Sequence, residues 1–385
     1  MLSAVDPSIP DRGDRIRARH ALEALARRFE VDLILVGARP TGDGLAALES
    51  LGVRIIAMPF RGWQRGLGVV RGITTNRPWG MLYSKRLARA VARSMCGQYE
   101  VALAFQLKTA PLVAQTRASI SMLELTDSLG LYRSLLRGTP WDLRRLSLAG
   151  VEAEEGRWAA RFDYCLVSSE RDKVAVQEEG APEARLVVVE NGTRAWRFPV
   201  APGPKANLLF VGNLYYPPNQ SGLLSFLRNT WPNLRAKTGL SLRIAGQAPR
   251  RLERGLEGVE YLGYVNDLTP EYARALALVN PVEFGTGTRS KVLEAWAAGL
   301  PVISTKAGAM GLEFIDGVQL LLADSASEWT AAVMRLREEP LTWISMSHAG
   351  FLHAASRYDA THIWDTALED IWRSWKGHGR NARGI

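Results

Sequence analysis

The run from Gly285 to Thr305, Gly-Thr-Gly-Thr-Arg-Ser-Lys-Val-Leu-Glu-Ala-Trp-Ala-Ala-Gly-Leu-Pro-Val-Ile-Ser-Thr, concentrates more chemistry than any other stretch of the chain. Gly285 and Gly287 let a backbone approach a ligand closely, and a helix beginning near Ser290 offers unpaired N–H groups to a phosphate. Arg289 and Lys291 put two cations at that end, where the helix macrodipole disfavours positive charge; an anion seated between them resolves the conflict. One turn in, Glu294 presents two acceptor oxygens that match the vicinal hydroxyls of a ribose. The competing reading is a solvated helix face on which Lys291 and Glu294 pair with each other.

The surrounding pattern supplies elements able to position such a loop. With 385 residues and 47% hydrophobic content, the chain has material for two domains. Short apolar runs alternate with longer helical patterns, which predicts parallel sheets covered by helices. A first strand series reads at 2–5, 31–36, 53–58, 101–105, 122–125, 164–167 and 186–189, with a helix over 15–29. A second reads at 207–211, 242–245, 259–262, 276–279, 302–304 and 319–322. The expected organisation is an α/β N-terminal Rossmann-like domain over 1–198, a proline-bearing linker over 199–206 and a second Rossmann-like domain over 207–362. Over 363–385, a helix with Trp364, Leu368, Ile371, Trp372 and Trp375 on one stripe would pack back on the first domain, ahead of a polar tail.

The whole run is more specific than its charges. Glu294-Ala-Trp-Ala-Ala-Gly299-Leu-Pro301-Val302, with Gly308-Ala-Met-Gly-Leu312 after it, resembles glycosyltransferase family 4. The strand ends Leu208-Leu-Phe-Val-Gly212-Asn213-Leu214, Leu242-Arg-Ile-Ala-Gly246 and Leu262-Gly-Tyr264-Val265 follow the same family in order and spacing. The resemblance implies a GT-B fold, two Rossmann-like domains facing each other across a cleft, and sugar transfer from a nucleoside diphosphate-sugar with retention and no bound metal. It implies donor-binding roles for Gly212, Asn213, Gly287, Thr288, Ser290 and Glu294, and assigns Arg289 and Lys291 to the leaving diphosphate. Tyr264 and Val265 would border the base, although a strand end followed by Asn266-Asp267 is also an ordinary turn. The chain departs from the family in two respects. Thr286 stands where many members carry a second glutamate, Glu283 being out of register, and Asn213, Pro218 and Asn219 occupy a stretch that often bears Arg and Lys.

In the first half the resemblance is looser. Gly13, in Pro10-Asp-Arg-Gly13-Asp14-Arg15-Ile-Arg17-Ala-Arg19-His20, matches a loop where glycine admits donor phosphates and acceptor; the alternative is a turn capping a helix through Asp14 or Asp11. Arg15, Arg17 and Arg19 either face an anionic acceptor or lie scattered on the surface. Asp127 follows a strand, where relatives bear a His or Asp close to the reacting bond. It is suited to steadying positive charge at the anomeric carbon or taking up the acceptor proton, unless it serves as a helix N-cap. No histidine lies between His20 and His348. Val187-Val-Val-Glu-Asn-Gly192-Thr193 resembles the family's turn at the end of the first domain and reads as structural. Glu152, Glu154 and Glu155 cluster without a His partner, so no metal site is expected.

The net charge of +9 belongs to the first half: residues 51–150 hold 15 Lys/Arg against 4 Asp/Glu, whereas 201–385 hold 19 against 17. Such a surface suits anionic lipid headgroups or a lipid diphosphate, besides serving solubility. Zinc-finger, RNA-recognition and basic-tail signatures are missing, so nucleic acid is not an expected partner. Trp63 and Trp79, among Arg61, Arg65, Arg71 and Arg77, suit a membrane interface, or equally a lid or packed loop. Cys96 and Cys165 lack metal-type spacing and sit in apolar contexts. The chain has no membrane-span pattern, no secretory signal, and opens almost inside its first strand. The expectation is therefore a cytoplasmic enzyme, peripheral to the inner face of the membrane, acting on a glycan or lipid-linked acceptor in exopolysaccharide or surface-glycan assembly. A sugar-nucleotide epimerase and a noncatalytic nucleotide-binding scaffold are the alternatives.

Overall fold

Parallel strands flanked by helices on both faces are buried along their whole length, and Asn207–Val211 and Ala275–Asn280 accordingly carry apolar runs over 208–211 and 275–279. The computed structural model describes residues 1–9, 12–58, 85–95, 97–137, 148, 150–194, 207–249, 255–286 and 289–379. Two compact units emerge, Met1–Glu190 with Thr361–Ile385, and Asn191–Ala360. The expected linker over 199–206 and the basic aromatic segment over 60–79 lie outside the described residues, as does Cys96.

The first unit carries β1 (Leu2–Ser3), β2 (Asp32–Val36), β3 (Arg54–Met58), β4 (Tyr99–Phe105), β5 (Ala118–Thr126), β6 (Tyr164–Val167) and β7 (Leu186–Val188). They form one parallel sheet in the order β3-β2-β1-β4-β5-β6-β7. The helix expected over 15–29 spans Gly13–Ala26, and its Ala18, Ala21, Leu22 and Leu25 are buried against the sheet. The helix Ala360–Gly379 packs on this unit through Trp364, Leu368 and Ile371, which share a core cluster with Leu22, Leu33 and Phe105. Polar clamps flank it, from Arg27 to Asp365 at 2.9 Å and from Arg28 to Glu369 at 2.8 Å.

The second unit carries β8 (Asn207–Val211), β9 (Ser241–Ala245), β10 (Val259–Gly263), β11 (Ala275–Asn280), β12 (Val302–Ser304) and β13 (Leu320–Leu322). Its parallel sheet runs β10-β9-β8-β11-β12-β13. Several tryptophans anchor the core while their indole N–H groups find carbonyls: Trp231 donates to Glu257 O (2.9 Å), Trp296 to Gln319 O (2.8 Å) and Trp343 to Leu276 O (2.7 Å).

In each unit the strand order reverses once, between β1 and β4 in the first and between β8 and β11 in the second. In open parallel sheets the crevice beyond the C-terminal strand ends at such a switch is where ligands bind. The chain therefore has two predefined places for chemistry, and both coincide with loops singled out by residue type.

Candidate active site

The switch point of the second unit is floored by glycines. Gly212 follows β8 and Gly246 follows β9 with φ +143°; a Cβ on Gly246 would stand 2.0 Å from Gly212 O, so only glycine admits this approach. Beyond β11, Gly285 (φ +136°) brings the loop against Pro218, whose side chain would lie 3.2 Å from an added Cβ. The chain then enters the helix Ser290–Ala297, which buries Val292, Leu293, Ala295 and Trp296 and leaves Lys291 and Glu294 half-buried.

Lys291 and Glu294 do not form a self-paired surface couple. Lys291 Nζ reaches across to Asn219 Oδ1 at 2.5 Å, lies 5.0 Å from the centroid of the Phe210 ring and stands 3.4 Å from where a Gly212 Cβ would be. Glu294 accepts from the Tyr272 hydroxyl at 3.4 Å. Burial, reinforced by the Arg289 charge, brings the Lys291 ammonium down to about 7, with Glu294 opposing. Burial likewise pushes the Glu294 carboxyl up to about 7, against the Tyr272 hydrogen bond and the Lys291 charge. A cation and a carboxylate, each with its pKa moved toward 7 by burial, thus stand one turn apart beside a glycine-floored crevice, a combination that recurs at functional sites.

Arg289, the other cation of the run, is engaged within the second unit. Its Nη2 donates to Ala307 O at 2.7 Å and its Nε to Met310 O at 3.1 Å, so the guanidinium ties the loop after β12 to the helix start. Ser290 opens the helix half-buried, Asn213 follows Gly212 and accepts from the Tyr215 N–H at 3.0 Å, and Tyr264 and Val265 lie at the end of β10, Tyr264 being 45% exposed. Gly287 and Thr288 lie outside the described residues, and Thr286 is half-buried. Neither Tyr272 nor the Phe210 side chain carries a functional signal in the sequence. The only signal for Asn219 was its place in the stretch where the family often carries cations.

At the switch point of the first unit, Gly13 opens its helix without a side-chain cap; Arg12 stands at the N-cap, and Asp14 accepts from the Arg15 N–H at 3.0 Å instead. Lys108, just beyond β4, has its pKa lowered by burial, with the Asp14 charge opposing and the Arg12 charge adding to the shift. Asp127 is not the N-cap of the next helix. Ser128 caps it by accepting from Leu131 N at 3.1 Å, and Asp127 Oδ1 instead accepts from Ser168 Oγ at 3.0 Å. Gln106 and Thr126, at the ends of β4 and β5, are the described non-glycine residues with positive φ, 70° and 72°. Strain of this kind gathers at functional rims.

Two of the arginines after Gly13 are engaged within the first unit. Arg17 is fully buried and forks onto Glu124, Nε to Oε1 at 2.8 Å and Nη2 to Oε2 at 3.0 Å, while Arg19 pairs with Glu23 at 2.7 Å. Glu155, buried, accepts from the N–H groups of Leu129 (2.8 Å) and Gly130 (2.9 Å), and burial pushes its carboxyl up to about 7. That carboxylate is engaged at a helix start. Among the described residues no group of three His, Cys, Asp or Glu side chains is placed to hold a metal ion.

The comparisons agree with this architecture. Residues 205–339 match the family model described as Glycosyl transferases group 1. The HepE structure from Anabaena, in complex with UDP and glucose, superposes with a TM-score of 0.67 at 16% identity, covering 97% of this chain and 98% of that one. Sucrose-phosphate synthase from Thermosynechococcus elongatus gives 0.67 at 14% identity over 98% of both chains. A curated relative, an uncharacterized 44.6 kDa protein in the cps region of Klebsiella pneumoniae, is 23% identical over 176 residues; the match spans 43% of this chain and 45% of that protein, less than half of each. The matched segment contains Gly212, Lys291 and Glu294, the residues that build the second switch point; it lies in the second unit, and the chain shares the two-unit α/β GT-B fold of these solved structures.

Proposed function

We propose that the chain transfers a hexosyl group from a nucleoside diphosphate-sugar to a glycan or lipid-linked sugar acceptor, with retention at the anomeric carbon and no bound metal, in the assembly of a surface polysaccharide. The observation that carries the reading is the placement of Lys291 Nζ beside Gly212 with Glu294 one turn away. Glu294 would accept from the ribose hydroxyls and Lys291 would neutralise the diphosphate as it leaves, charge stabilisation that a crevice shielded from water makes effective. Asp127, on the first unit, would stand by the reacting carbon or take the acceptor proton. The UDP and glucose found with HepE, and the cps region of the Klebsiella relative, favour a sugar nucleotide donor and a polysaccharide pathway. A membrane-facing role through the basic first half is part of the same reading; no helix among the described residues is long and apolar enough to cross a membrane.

The test is incubation with a panel of UDP-, GDP- and dTDP-sugars, following nucleotide release with and without lipid-linked acceptors. One donor should be consumed only when acceptor is present, and Lys291→Ala should lower kcat/KM about a hundredfold or more while leaving the melting temperature nearly unchanged. Donor conversion without acceptor would instead identify an epimerase. Nucleotide binding without turnover of any donor would identify a scaffold.

A further inference from the structure

The helix Pro217–Asn229 begins at the second switch point, yet its first turn is poor in donors. Pro217 and Pro218 have no N–H, and the Gln220 N–H donates to Tyr216 O at 3.1 Å. Two of the free amides that ordinarily make a helix start attractive to an anion are therefore missing. What reaches the same point is the Lys291 ammonium, carried by a different helix. Asn219 joins the two: its Nδ2 donates to Asn213 O at 3.1 Å, which fixes the direction of the carboxamide and leaves Oδ1 to receive Lys291 Nζ at 2.5 Å. Asn219 is buried, and a Cβ on Gly212 would come within 2.9 Å of its Nδ2, so the glycine leaves room for the bridge.

We propose that Asn219 is a positioning residue of the transfer reaction, holding Lys291 across the open face of Gly212 so that the ammonium meets the donor diphosphate where helix amides are lacking. The proposal rests on the donor-pocket reading above. The groups that face the Lys291 ammonium are Arg289 and Glu294 from its own segment, Asn219 from the proline-headed helix and the Phe210 ring from β8. A structural role alone would lower stability without altering how the ammonium titrates.

The experiment measures, by calorimetry across neutral pH, the affinities of UDP, GDP and dTDP against those of uridine, guanosine and thymidine. Wild type, Asn219→Ala, Asn219→Asp and Lys291→Ala are compared. Wild type should prefer one diphosphate over its nucleoside. Asn219→Ala should lose about tenfold of that preference, roughly the loss of one charge-assisted hydrogen bond, with nucleoside affinity retained as the sign of an intact pocket. Its alkaline loss of diphosphate binding should begin at lower pH, because the ammonium has lost an acceptor, whereas the carboxylate of Asn219→Asp should move it to higher pH. Wild-type preference and wild-type pH limb in Asn219→Ala, alongside a defective Lys291→Ala, would overturn the positioning role and leave the donor pocket standing. Equal affinity of wild type for nucleosides and diphosphates would overturn both. If Asn219→Ala does not melt cooperatively, the near-isosteric Asn219→Asp decides by the direction in which its limb moves, and an unmoved limb overturns the proposal.

Discussion

Lys291 and Glu294 share one helical turn, and each turns to a neutral partner, Asn219 and Tyr272, in preference to the other. Both are held near neutrality by burial, from opposite sides: the ammonium comes down to about 7 and the carboxyl goes up to about 7. The direction of each shift sets a pH dependence for the binding of a nucleoside diphosphate. Above neutrality free Lys291 loses its proton and its charge, so diphosphate affinity falls as pH rises; below neutrality Glu294 gains a proton and an acceptor oxygen is lost to the ribose, so affinity falls as pH drops. Binding should therefore peak close to neutral pH. Lys291→Ala should flatten the alkaline limb and Glu294→Gln the acid limb, and affinities measured over a pH series check both. A profile unchanged by either substitution would remove these groups from the pocket.

At the scale of elements, β5 ends in a strained rim set by a buried node. Glu124 O accepts from the Gln106 N–H at 2.7 Å, Glu124 Oε1 accepts from the Thr126 N–H at 2.6 Å, and Arg17 forks onto the same carboxylate. Arg17 also lies 5.3 Å from the centroid of the Trp364 ring and donates to Glu190 O at 3.3 Å. The node holds Gln106 and Thr126, the latter directly before Asp127. A β-branched residue at φ 72° is disfavoured, and the Thr126 hydroxyl is buried without a hydrogen bond. Thr126→Gly should consequently raise stability by about 1 kcal/mol, measured by denaturant unfolding. If the strain serves to aim Asp127, the same variant should lose turnover; a stabilised variant of full activity would mean that the rim does not aim it.

At the scale of the whole molecule, the chain's last long helix completes the first unit, which is therefore discontinuous in sequence. Trp364 is 1% exposed and shares a cluster with Leu368, Ile371 and Phe105. Trp364→Ala should cost about 3–5 kcal/mol, the range for removing a large buried aromatic. Because each unit has its own sheet and core, calorimetry should show the loss in the transition of the first unit, with that of the second nearly unmoved. Equal displacement of every transition would mean that the units unfold as one.

The sequence by itself determined both sheets and one half of the site. Short, mostly apolar runs such as those in Asn207–Val211 and Val302–Ser304 report strands buried on both faces, and the glycine-to-helix run around Lys291 and Glu294 is local, so residue order alone displays it. Only the tertiary structure decided the partners. Asn219 meets Lys291 across 72 residues and Arg17 meets Glu124 across 107, while the ends of β1 and β4, a hundred residues apart in sequence, are brought side by side in the sheet. Periodicity reports that a residue is buried, but the strand order decides what it is buried against. For that reason Arg17, which reads as one of three basic residues near a ligand loop, is in fact the counter-charge of a buried carboxylate.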